Sequence, residues 1–176
     1  MNILIAYAST EGQTRKIARY CADYLIGQGH SVELAGASDA RDAELARFDA
    51  VLLAGSVHAG MYQKPLVKLA KSKAAALAQV RSAFMSVSLA AAGNDPDDWV
   101  GLDQCVSRFA KKTGWTPPTV MHVAGAFRFS EYDFFKSWAM RWIASQKNEE
   151  VDPGQDKELT DWAALKKTLD EWLAGT

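Results

Sequence analysis

Only two cysteines, Cys21 and Cys105, occur in the 176 residues, with no CxxC pair and no cluster with histidine. That excludes a disulfide framework and a zinc site of recognisable spacing. Cys21 follows Ile17 and precedes Tyr24 and Leu25 at helical spacing, so it reads as core. An excess of basic charge is also lacking: 20 Lys and Arg against 21 Asp and Glu leave a formal charge of −1. No field of that size neutralises a phosphate backbone, and nucleic acid is not an expected partner. No apolar run approaches the length of a bilayer span. Met1 runs directly into Ile3-Leu4-Ile5 without the basic and apolar regions of a signal sequence, so the expected location is the cytoplasm. Two nucleotide fingerprints are missing as well. No GxGxxG follows the first apolar run, and the only GxxxxG, Gly55 to Gly60, continues with Met61-Tyr62 where a P-loop has Lys and then Ser or Thr.

What is present is an alternation of short β-rich runs with longer helical patterns, the signature of βαβ units building a parallel sheet covered on both faces. The length and the 48% hydrophobic content suit one domain spanning residues 1–176. Strands are expected at Asn2 to Ala8, Ser31 to Ala35, Ala50 to Gly55, Ser82 to Leu89 and Thr119 to Phe127. The run AVLLAG at 50–55 is apolar throughout, as a central strand buried on both faces should be. Helices are expected over Gln13 to Gln28, Lys64 to Ala78 with Pro65 in its first turn, Trp99 to Lys112, and Thr160 to Ala174 capped by the Thr160 hydroxyl. This order describes a doubly wound α/β sheet, whose ligands lie beyond the C-terminal strand ends where the strand order reverses. The loops after the first, third and fourth strands should therefore build the site.

The first of these loops reads Ser9-Thr10-Glu11-Gly12-Gln13-Thr14 and leads directly into a helix. Free backbone N–H groups at a helix start, aided by the helix dipole and by hydroxyl donors, suit a phosphate dianion; an ordinary N-cap has the same composition. The frame resembles that of flavodoxins, Ser-Thr-Thr-Gly-Asn-Thr, with Glu11 and Gln13 departing from it. A carboxylate beside a phosphate is electrostatically unfavourable unless Glu11 points to solvent.

A narrower resemblance is to the quinone-dependent protoporphyrinogen oxidase (dehydrogenase) branch of the flavodoxin superfamily, whose first loop ends in Asp-Gly-Gln-Thr-Arg. Glu11-Gly12-Gln13-Thr14-Arg15 matches that ending. The match continues through Gly55-Ser56, Gly60-Met61-Tyr62, Ser82-Ala83-Phe84 and Ser86-Val87-Ser88-Leu89. It then takes in the run from Ala124 to Phe129 and ends at Thr160-Asp161-Trp162, so it spans nearly the whole chain in order. The resemblance implies a flavodoxin-like sheet of five parallel strands in the order 2-1-3-4-5, holding one FMN. It places Ser9, Thr10, Glu11, Gly12, Gln13 and Thr14 on the cofactor, together with Ser56, Val57, His58, Ala59, Gly60 and Tyr62 from the third-strand loop. Ser88, Leu89, Ala90, Ala91 and Gly93 from the fourth-strand loop complete the set. His58 is given a contact and no catalytic role, and no catalytic residue is assigned.

Flavodoxins that act as carriers sandwich the flavin between aromatic side chains from these loops. The fourth-strand loop here, Ser88-Leu89-Ala90-Ala91-Ala92-Gly93-Asn94, has no aromatic residue. One flavin face would then be open to a planar substrate or quinone, unless Trp99 folds back to cover it. Charge agrees, because carrier flavodoxins are strongly acidic and this chain is near neutral.

Between the fifth strand and the last helix lies an insert, about residues 128–158, that is long for an α/β connection. From Phe127 to Trp142 the chain places seven of its eighteen aromatic residues. As a helix from Asp133 to Ser145, Phe134, Phe135, Trp138, Trp142 and Ile143 would share one face. Arg128, Tyr132, Phe135, Trp138 and Trp142 are the candidates for a substrate or membrane surface. The covers available to such a face are the domain itself, a second copy in a homo-oligomer, or an external partner such as the inner face of the cell membrane. By resemblance, the reaction is stepwise oxidation of protoporphyrinogen IX to protoporphyrin IX in haem biosynthesis, with FMN passing electrons to menaquinone or ubiquinone. A flavodoxin-type carrier, an NAD(P)H-dependent quinone reductase and a non-enzymatic FMN module stay open as alternatives.

Overall fold

A computed structural model describes residues 1–127 and 157–175. The apolar run at 50–55 forms the middle of a five-stranded parallel sheet in the order β2-β1-β3-β4-β5, as expected. The strands are β1 (Asn2–Ala8), β2 (Ser31–Gly36), β3 (Ala50–Ser56), β4 (Arg81–Ser88) and β5 (Val120–Ala124). β3 pairs with β1 and β4, Leu52 lying opposite Ile5 and Ala83, and its first six residues are buried.

Alternating side chains of these strands feed two separate cores. On one face Ile3, Ile5, Leu52 and Met85 meet Ile17, Cys21 and Leu25 of α1 (Gln13–Gly27). Leu165, Leu169 and Trp172 of a C-terminal helix complete that core. Cys21 lies within it, as its spacing predicts, and burial pushes its thiol up to about 12. On the other face Leu4, Leu53 and Phe84 meet α2 (Lys64–Ser72) and α4 (Pro96–Thr113). Phe109 of α4 stacks on Phe84 with centroids 4.5 Å apart and receives the edges of Tyr62 and Trp115.

Four boundaries differ by more than one residue from the sequence-based expectation, each for a local reason. The helix expected over Lys64 to Ala78 breaks at Lys73, and a short α3 (Ala74–Leu77) follows. There the Ser72 hydroxyl donates to the Leu69 carbonyl and competes with the helix ladder. α4 begins at Pro96, three residues before Trp99, because the Asp95 side chain caps it by accepting from the Asp97 N–H at 3.0 Å. β5 stops at Ala124: Gly125 leaves the sheet, and Ala126–Phe127 (β6) pairs antiparallel with Lys157–Glu158 (β7). The last helix, α5 (Trp162–Ala174), is capped by Asp161, which accepts from the N–H groups of Ala163 and Ala164, and not by Thr160. The Thr160 hydroxyl instead donates to the Ala124 carbonyl at 2.8 Å and ties the start of α5 to the end of β5. The expected aromatic helix from Asp133 to Ser145 lies outside the described residues, as do Arg128, Tyr132, Phe135, Trp138 and Trp142.

No helix among the described residues is long and apolar enough to cross a membrane. The aromatic stack under the sheet sets the position of α4, so Phe109→Ala should cost about 3–5 kcal/mol of unfolding free energy, measured by urea denaturation at unchanged m-value.

Candidate functional site

The strand order reverses between β1, which continues to β2 on one side, and β3, which continues to β4 on the other. The loops after β1, β3 and β4 therefore open into one crevice, which Gly125 and Ala126 close from beyond β5. The cleft is open to solvent, with a cavity volume of about 70 Å³.

The floor is the β1 loop. Gly12 takes φ +92°, a conformation that side chains disfavour, and its N–H donates to the Ser9 hydroxyl at 2.9 Å. No side chain caps α1 and no acidic residue occupies its first turn. The first amides of the helix have no intrahelical partner, and the positive end of its dipole faces the cleft. Thr14, one per cent exposed, lines the same cavity with Ser9 and Gln13. Gln13 is fixed from behind by its amide, which reaches Thr160 Oγ1 at 3.3 Å and Glu158 Oε1 at 3.4 Å. Lys16, one turn further along, pairs with the other oxygen of the Glu158 carboxylate.

The second wall is a tight reversal after β3. His58 and Met61 exchange backbone hydrogen bonds of 2.8 and 2.9 Å, and Ala59 and Gly60 between them both take positive φ, as the central residues of a type I′ turn do. The turn presents Ser56, Val57 and His58 to the cleft. His58 Nε2 stands 4.0 Å from Glu11 Oε1 across the gap. Glu11 therefore faces the cleft and not bulk solvent: its side chain is 22% exposed, and Oε1 is buried without a protein hydrogen-bond partner among the described residues. The third wall is Val87, Ser88 and Leu89.

Other assigned residues lie off the cleft. Thr10 is exposed and accepts from Gln63, whose amide also reaches Ser56, so Gln63 joins the β1 and β3 loops. Gly12, Ala59 and Gly60 shape their turns without lining the cavity. Tyr62 is a core residue, since its hydroxyl bonds to Ser86 Oγ at 2.8 Å and its ring packs on Phe84 and Phe109. Burial pushes its phenol well above the ordinary tyrosine range. Ala90 and Gly93 belong to the turn after β4, while Ala91 faces a second groove lined also by Trp99 and His122. Trp99 is held on that side: its indole donates to the Gly93 carbonyl at 2.9 Å, and its ring meets His122 edge-on. It does not line the cleft. Sequence reasoning misses Gln63, Val87, Gly125 and Ala126; the last three lie within quoted matches, inside runs expected to be strand.

The chain belongs to the flavodoxin domain family, whose residue pattern matches positions 4–153. Among its sequence relatives is the protoporphyrinogen IX dehydrogenase [quinone] of Escherichia coli K12, 28% identical over 163 residues, which cover 92% of this chain and 89% of that protein. The enzyme of the same name from Leishmania major is 27% identical over 175 residues, 97% of this chain and 74% of its own length. Both are oxidoreductases by name. Among solved structures, the flavodoxin of Streptococcus pneumoniae TIGR4 superposes with a TM-score of 0.53 at 15% identity, covering all of both chains. A cysteine-to-serine mutant of the flavodoxin of Pseudomonas aeruginosa gives 0.50 at 19% identity, over 82% of this chain and 95% of its own. These likenesses agree with the fold.

FMN is the cofactor of this family, and the cleft fits it. The uncapped start of α1 and the buried Thr14 hydroxyl suit a phosphate, and Val57, Val87 and Leu89 give an aliphatic wall for a flat ring. Thr14→Val keeps the side-chain shape and deletes the hydroxyl, so FMN affinity measured by fluorescence quenching should fall about tenfold or more, the effect of one hydrogen bond to a charged group.

Proposed function

We propose that the chain is an FMN-dependent protoporphyrinogen IX dehydrogenase that passes electrons to a quinone, menaquinone or ubiquinone, in haem biosynthesis. The 27–28% identities, each over more than nine-tenths of this chain, support the reaction class. The single observation that carries the choice of enzyme over carrier is the wall of the cleft. Its residues among those described include no Phe, Tyr or Trp, and Trp99 is bound to the Gly93 carbonyl on the far side of the β4 turn. That leaves room for a planar reductant or a quinone to approach the ring.

When bound, FMN would supply the electron-transfer chemistry between porphyrinogen and quinone. The protein's part is positioning. The first-turn amides of α1, with Ser9 and Thr14, would hold the phosphate; Gln13 would stay oriented through Thr160 and Glu158. Ser56, Val57 and His58 would flank the ring from one side, with Ser88 and Leu89 on the other. Gln63 would keep the first two loops in register through Thr10 and Ser56. The whole of residues 1–176 acts as one unit in this reading. Arg128, Tyr132, Phe135, Trp138 and Trp142 of the segment 128–158 would be the candidates to meet the hydrophobic substrate or a membrane surface where quinone resides.

The test is porphyrin fluorescence after adding protoporphyrinogen IX anaerobically to FMN-loaded protein, with and without a menaquinone analogue. Growth that requires both FMN and quinone is the expected result. No growth above the protein-free control, from protein whose absorbance shows bound FMN, would overturn the substrate assignment. Rapid bleaching of the flavin by NAD(P)H would favour the quinone reductase instead.

A further inference from the structure

The reversal after β3 has two sides. Ser56, Val57 and His58 line the cleft, whereas Gly60 and Met61 line a separate pocket of about 150 Å³ between α2 and α4. Val67 of α2 and Phe109 of α4 give this pocket apolar walls, and Met61 stands at its edge, 63% exposed. Two cations share it: Arg108 and Lys112, one helical turn apart on α4 and both exposed. Arg108 is held in place, because its Nη2 donates to the Gly60 carbonyl and to Cys105 Sγ, each at 3.3 Å. Its Nε and Nη1 bear three further N–H groups, the fork with which a guanidinium grips a carboxylate. The acidic flank of α4 is a different one, since Asp103 stands 3.4 Å from His122 Nε2 on the β5 side. Across the pocket, α2 carries exposed Lys64, Lys68 and Lys71 and no acidic residue. An apolar recess between cations, directly behind one wall of the cleft, suits a hydrophobic ligand with anionic arms.

We infer that Arg108 and Lys112 receive the carboxylate arms of the tetrapyrrole substrate. This rests on the protoporphyrinogen reading above and deepens it by naming the residues that select a dianionic ligand. Protoporphyrinogen IX carries two propionates on adjacent pyrroles, at one edge of a hydrophobic macrocycle. His58 on the inner side of the turn and Gly60 on the outer side are two residues apart, so at most about 7 Å separates their Cα atoms. A macrocycle facing the cleft with its propionate edge toward the β3 turn therefore brings the two arms to the two cations, and the hydrocarbon of the arms meets Met61 and Val67. A quinone has no carboxylate. The pair thus acts on the electron donor alone and separates donor recognition from acceptor recognition.

The experiment is steady-state kinetics of FMN-loaded protein with protoporphyrinogen IX and a menaquinone analogue, each varied in turn. Lys112→Gln leaves the Arg108 bond to Gly60 in place. It should raise the KM for porphyrinogen several-fold, the worth of one exposed ion pair, with kcat and the KM for quinone unchanged. Arg108→Gln combined with Lys112→Gln should raise it about tenfold or more, and Arg108→Lys, which keeps the charge, should fall between wild type and that double variant. Affinity for the product protoporphyrin IX, read without turnover by fluorescence anisotropy, should fall in the same order while FMN affinity holds. The dimethyl ester of protoporphyrinogen IX needs no variant: wild type should use it with the raised KM that the double variant shows for the diacid. Equal KM for diacid and ester in wild type, or equal KM for the diacid in wild type and the double variant, would overturn the inference while leaving the dehydrogenase reading intact. Parallel loss of FMN affinity and quinone KM in Lys112→Gln would also overturn it, since the residue would then support the turn and not the substrate. No porphyrin formed by wild-type protein that holds FMN would overturn the dehydrogenase reading and this inference with it.

Discussion

Pairing of β1 with both β2 and β3 is the constraint on which the rest of the molecule depends. Because the sheet is wound outward in two directions from this seam, helix α1 leaves toward one face and α2 toward the other, and their preceding loops separate instead of packing together. The space between them is the cleft. Its depth is maintained by strands so fully buried that they cannot shift: Ile3, Leu4, Ile5, Ala6 and Val51 have no solvent exposure. A parallel sheet sealed on both faces leaves no water for backbone polar groups along its central strands, which bond to one another, whereas the uncapped start of α1 keeps free amides at the mouth of the cleft.

The fourth and fifth strands serve the same place less directly. Thr160 bonds to the Ala124 carbonyl and receives the Gln13 amide, so the C-terminal helix is tied to both the sheet edge and the start of α1. Glu158 adds contacts to Gln13 and Lys16. Opening the cleft on that side would break a continuous polar chain from β5 to α1. On the other side, Gln63 joins the first two loops through Thr10 and Ser56. Rigid support of this kind is what a cofactor site needs when its ligand contacts come from loops and not from the sheet itself.

Much of this was legible in the sequence because the signals are local. AVLLAG announces a buried central strand, and Ser9 to Thr14 announces the turn from the first strand into a helix; each depends only on neighbouring residues. What was not legible depends on partners distant in sequence. Tyr62 sits close to a cleft-lining turn, yet its hydroxyl finds Ser86 and its ring finds Phe84 and Phe109, which makes it core. Thr160 has the right residue type for a cap, but Ala124 competes for its hydroxyl and Asp161 takes the role. Glu11 looked tolerable only if turned to solvent, and it faces His58 instead. Gln63 carries no motif at all; its bridge exists only because the β1 and β3 loops are brought side by side.

The measurement that bears most directly on the account is a crystal structure of the FMN complex. The account predicts the phosphate on the first-turn amides of α1 beside Ser9 and Thr14, and an isoalloxazine ring between the Val57-His58 and Ser88-Leu89 walls with one face free of aromatic side chains. A phosphate bound elsewhere, or a ring closed on both faces by aromatics with Trp99 among them, would contradict it.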